Sequence, residues 1–200
     1  MTAKRAKFGI NLFVALSIAT PAIAHTGGTI TAGLWGGVTH PLFGLDHVLA
    51  MIAVGLWGAF LGPPAIWLLP IVFPLVMALG AVLGIVGIPL LGAEIGIAMS
   101  AIVLGAAVAL AFRPPLWMAA VLVGMFAIFH GHAHGAELPP GADAVAFSIG
   151  FVAATGGLHL CGIGLGLLTR WPLGAFTVRT AGVAIAIAGV VFLSRKAWAL

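Results

Sequence analysis

Residues 116–137 read LWMAAVLVGMFAIFHGHAHGAE. From Leu116 to Phe129 there is no ionisable side chain, and then His130, His132, His134 and Glu137 arrive within eight positions. An apolar run of this length suits a helix crossing a bilayer, which needs about 20 residues. On such a helix His130 and His134 stand one turn apart and Glu137 extends the stripe, while His132 faces the opposite side. Two imidazoles at that spacing can hold one divalent ion with a carboxylate as third ligand.

Working outward, the same kind of apolar run recurs along the whole chain. Breaks fall at Gly62-Pro63-Pro64, Gly87-Ile88-Pro89, Arg113-Pro114-Pro115, Pro139-Pro140-Gly141 and Arg170-Trp171-Pro172. They divide the chain into six expected helices near 30–60, 65–87, 92–112, 115–137, 142–168 and 174–194. The first is long enough to be broken, and Pro41 would end or kink it. Hydrophobic residues make up 62% of the chain and charged residues 6%. A soluble domain carries about 25% charged residues, so this one cannot clothe itself for water and reads as an integral membrane protein. The expected fold is all-α, a six-helix transmembrane bundle forming a single domain over residues 25–200, with the lipid bilayer as its surroundings.

Residues 1–24 have the layout of a cleavable signal peptide. Lys4, Arg5 and Lys7 precede a short apolar stretch from Phe8 to Ala19, and Ala22-Ile23-Ala24 supplies a small-x-small cleavage pattern. An uncleaved first helix is the alternative. Cleavage would leave His25 as an N-terminus on the extracytoplasmic side, where its amine and imidazole together could chelate a metal. In that orientation Arg113 and Arg170 lie in cytoplasmic loops, as the positive-inside bias expects, whereas Arg195 and Lys196 fall outside, against it. The basic residues form no patch in the body of the chain, so nucleic acid is not an expected partner. No GxxxxGK[ST] loop occurs, which excludes a nucleotide site of that kind. The single cysteine, Cys161, excludes an internal disulfide and a CxxC site.

Charged groups inside a membrane are costly and mark function by default. Beside the stripe already quoted, His40-Pro41-Leu42-Phe43-Gly44-Leu45-Asp46-His47 forms a second cluster. On one continuous helix His40 and His47 lie two turns apart on nearly the same face, with Asp46 pointing elsewhere, able to serve a neighbouring helix or to orient a ligand from behind. Candidate metal ligands are therefore His40, Asp46, His47, His130, His134 and Glu137, with His25, Glu94 and His132 as further possibilities. The imidazole and carboxylate mixture suits nickel, cobalt, zinc or copper(II) better than magnesium or calcium. Asp143 reads as an N-cap, His159 and Cys161 as packing residues, and Gly80-x3-Gly84 and Gly162-x-Gly164-x-Gly166 as close helix contacts.

With both clusters in view, the chain resembles the HupE/UreJ family of bacterial nickel permeases. His40-Pro41-x-x-Gly44-x-Asp46-His47 resembles its HX5DH signature, and Phe129-His130-Gly131-x-Ala133-His134-Gly135-x-Glu137 its FHGxAHGxE signature. Glu94-Ile95-Gly96-Ile97-Ala98-Met99-Ser100 looks like its third helix. The larger nickel/cobalt transporter family has one residue fewer in the first motif. What the resemblance implies is a secondary permease in the bacterial inner membrane, with its mature N-terminus in the periplasm. It would import nickel, or cobalt, as cargo and use no catalytic cofactor, with His40, Asp46, His47, His130, His134 and Glu137 on the route. A rival class is an intramembrane zinc-dependent hydrolase, but HExxH is absent and no oxyanion donor is evident.

Overall fold

A computed structural model describes residues 30–138 and 141–197. The proposed signal peptide and His25 lie outside the described residues. The chain forms α1 (Ile30–Phe43), α2 (Leu45–Leu61), α3 (Ala65–Ile85), α4 (Ala93–Ala109), α5 (Leu116–Ala136), α6 (Ala144–Gly166), a 3-10 turn (Leu167–Arg170) and α7 (Pro172–Ala197). There is no strand among the described residues.

Among the described residues, four stretches are long and apolar enough to cross a membrane: Ala65–Ile85, Leu116–Ala136, Ala144–Arg170 and Pro172–Lys196. The expected first helix is a bent pair instead, Gly33–Phe43 and Leu45–Leu61 meeting at 84°, which makes a fifth span if counted as one. The break does not fall at Pro41, which sits inside α1. It falls at Gly44, whose extended backbone (φ −92°, ψ 102°) caps α2. α4 has only 17 residues, about 26 Å of helix against a hydrocarbon core of about 30 Å. It stops short of the expected residue 112 because Ala111 turns left-handed at φ 54°. The Ala111 amide then donates to Val108 and the Phe112 amide to Ala107, closing off the last carbonyls.

Glycine decides how the helices pair. α3 and α5 run side by side, and a Cβ on Gly131 or Gly135 would fall on the carbonyls of Met77 or Ala81, while one on Gly80 or Gly84 would fall on those of Ile128 or His132. α6 is a long prop for the bent pair. α1 lies along its first half, with Gly37 against the Phe147 carbonyl, and α2 along its second, with Gly162 against the Ile52 carbonyl. Of the second glycine pattern, Gly162 and Gly166 make such contacts, but Gly164 faces open space. α4 pairs with α7. In this arrangement α3, α5 and α7 end, and α4 and α6 begin, at one end of the bundle. Met51, Leu56, Trp57, Leu69, Phe73 and Leu104 fill the core beneath it.

Candidate metal centre

The bend at Gly44 is what gathers the site. The expectation that His40 and His47 share one helix face fails, because they stand on two helices. Yet both reach the same partner, with ring centres 4.9 Å and 4.4 Å from His134. The stripe on α5 divides accordingly. At the mouth, His40 Nε2–H donates to Glu137 Oε2 at 3.2 Å, and the donor atoms of His40, His134 and Glu137 all lie within 4.8 Å of one another. Two donors at about 2.1 Å from a shared ion sit roughly 3–4 Å apart, so little movement closes this trio. Deeper, the His47 ring lies 5.1 Å from that of His130, which is fully buried.

The hydrogen bonds of these rings decide what they offer. His47 Nδ1–H donates to Asp46 Oδ1 at 2.8 Å, and His130 Nδ1–H donates to the Phe126 carbonyl at 2.9 Å. Each bond fixes the tautomer and leaves an Nε2 lone pair for a ligand. Both Nε2 atoms, and both ring nitrogens of His134, are buried with no hydrogen-bond partner among the described residues. Buried polar atoms are rarely left unpaired, and these orphaned ring nitrogens are gathered in one cluster, with ring centres 4.4 Å and 5.1 Å apart. Asp46 therefore orients His47 from behind.

Asp46, Glu94 and Glu137 line a vestibule of about 500 Å³ above the rings. Into it reaches Lys196 from the end of α7, its ammonium 3.6 Å from Asp46 Oδ2 and paired directly with Glu94. That pairing gives the C-terminal charge a local task, which the sequence alone did not signal beyond the oddity of a lysine ending an apolar helix. Glu94 is on the vestibule wall but engaged by Lys196. His132 stays out of the cluster, its Nε2–H donating to the Ile88 carbonyl at 2.8 Å and tying down the loop between α3 and α4. Asp143 accepts from the Ala146 amide at 2.8 Å, as an N-cap should. Phe147 and Phe151 wall the site beside His40 and His134, and neither was marked by its spacing.

Apolar helices closing around unpaired imidazoles at one end define a multi-pass helical membrane protein with a polar interior. The sequence profile of the HupE / UreJ protein family matches residues 13–192, and the chain belongs to that family. Protein HupE of Rhizobium leguminosarum bv. viciae is 46% identical over 178 residues, 88% of this chain and 93% of its own. No solved structure is significantly similar to the chain.

Proposed function

We propose that the chain is a secondary permease that imports a divalent transition metal, nickel or cobalt, through the histidine and carboxylate sites of α1, α2 and α5. The observation that carries this reading is the pair of buried, tautomer-fixed imidazoles, His47 and His130, whose Nε2 atoms face the interior unpartnered. Charge supports it. Among the described residues, three carboxylates and one ammonium give the vestibule two formal negative charges, the complement of one divalent ion. The ion enters at His40, His134 and Glu137 and passes to His47 and His130. Two imidazole nitrogens bind firmly enough to select a borderline metal, and among the described residues no carboxylate bonds His130, which keeps that binding weak enough to release.

The topology that goes with this reading has six passes, the bent pair and the short α4 each counted as one, with the vestibule facing the periplasm. The hydrolase alternative gains no residue. Thr39 brings the one hydroxyl on the vestibule wall, and it is already bonded to the Trp35 carbonyl at 2.9 Å. A metallohydrolase needs a donor free to meet the developing oxyanion.

The test is uptake of radioactive nickel into proteoliposomes, alone and with excess cobalt, zinc or copper. Accumulation that disappears in His47→Ala and His130→Ala, both inserted at normal abundance, is the expected result. Metal binding with no flux would instead make the protein a sensor or an enzyme.

A further inference from the structure

Below His130 the polar atoms do not stop. His159 on α6 is 1% exposed, and neither ring nitrogen has a hydrogen-bond partner among the described residues. Thr155, one turn earlier on the same face, is fully buried, and its hydroxyl is also unpartnered. That hydroxyl behaves unusually for a helix. Those of Thr39, Ser148, Thr177 and Thr180 all bond the carbonyl four residues back, the ordinary resort of a threonine or serine in an apolar setting. Thr155 forgoes that bond.

A third group is supplied by a proline. Pro74 has no amide to give, so the Pro70 carbonyl in α3 loses its helical donor, and it is this carbonyl that lies beside the His159 ring. A buried imidazole and a buried hydroxyl stand unpartnered among the described residues, with the half-buried Pro70 carbonyl close enough to bond the ring. Packing does not account for them, since an apolar side chain would fill the same space without stranding polar atoms.

Position gives the set its meaning. His134 and His130 stand about 3 Å and 9 Å from the end of α5 along the helix axis, Phe73 about 18 Å from the end of α3, and His159 about 22 Å from the start of α6, all measured from the same end of the bundle. Phe73 lies between the two histidines, its ring centre 5.3 Å from that of His130 and 5.3 Å from that of His159. We propose that His159, with the Thr155 hydroxyl and the Pro70 carbonyl, is a third metal station that receives the ion from His130 past the ring of Phe73. The proposal rests on the permease reading. One imidazole with two neutral oxygens binds a divalent ion more weakly than the trio at the mouth, so affinity falls along the route and favours release at the far end.

The experiment uses the full chain carrying Cys161→Ser, since Cys161 is exposed, with His159→Cys and His159→Phe added separately. Cysteine can ligate but not fill the ring's space; phenylalanine fills the space but cannot ligate. The station requires nickel uptake to fall at least tenfold in His159→Phe and to stay within about threefold of the parent in His159→Cys, with equilibrium nickel binding at the mouth unchanged in both. Cobalt(II) added to purified His159→Cys should give a thiolate-to-cobalt charge-transfer band that the parent lacks. Equal rates in the two variants, a faster phenylalanine variant, or no band would overturn it. A parent that moves no nickel would fail the permease reading, and the cobalt band would still decide whether the station binds metal.

Discussion

An imidazole has two nitrogens, and the protein spends one to aim the other. At His47 the partner is Asp46, at His130 the Phe126 carbonyl. Substitution of Asp46 separates orientation from charge. Asn keeps an acceptor for His47 Nδ1–H but removes the negative charge, whereas Ala removes both. Losing such a partner costs about 10–100-fold in metal affinity, so Asp46→Asn should lie near the lower figure and Asp46→Ala near the upper, read as the nickel dissociation constant by equilibrium dialysis. An equal loss in both would mean that the carboxylate ligates the ion itself. Asp143 is the contrasting acid. It accepts from the Ala146 amide at the start of α6, so Asp143→Ala should cost about 1 kcal/mol of stability in a thermal melt, with nickel uptake unchanged. At this scale the sequence is readable, because capping and ligand spacing are local. The station at His159 is not, since its partners come from Pro70 and Phe73, some 90 positions away, and one isolated histidine in an apolar run looks like packing.

The helices are joined through glycines that alternate with the histidines of the cluster. In His130-Gly131-x-x-His134-Gly135 each glycine follows a histidine by one position, so while the rings face the cluster, the glycines press on the α3 backbone. The motif is therefore two faces of one helix, one for the imidazole cluster and one for the contact that holds the helix in place. A methyl group on Gly131 would meet the Met77 carbonyl, a rigid neighbour. Gly131→Ala should cost about 1–3 kcal/mol or more, seen as a lower melting temperature and weaker nickel binding together, while Gly164→Ala, which meets nothing, should leave both intact. Runs and breaks fixed the helices in the sequence to within a few residues for α3, α5 and α6, since apolar length and Pro/Gly punctuation are local quantities. The bend at Gly44 escaped the same reading. Proline is the stronger breaker by propensity, but Pro41 is accommodated inside α1, and the extended backbone of Gly44 sets the turn.

At the scale of the whole molecule, the side of loading depends on which end of the bundle faces outward. Counted by loops, Arg195 and Lys196 oppose the positive-inside bias. Counted by partners, Lys196 is neutralised by Asp46 and Glu94 within the vestibule, leaving Arg195 alone at that end against Arg113, Arg170 and Arg179 at the other. Arg179 is itself anchored at that opposite end, its Nε–H donating to the Ala109 carbonyl at 2.8 Å. On the proposed topology the basic loops belong to the cytoplasm and the vestibule to the periplasm. Two positions report this without touching the site: Leu91, 92% exposed at the vestibule end, and Leu110, 75% exposed at the other. In a Cys161→Ser background, a membrane-impermeant maleimide should label Leu91→Cys on intact spheroplasts and reach Leu110→Cys only after lysis. The opposite pattern would place the strongest sites on the cytoplasmic face and the weakest toward the periplasm. Net direction follows the ion's electrochemical gradient, so this labelling result fixes the topology and, with it, the side from which the trio at the mouth is loaded.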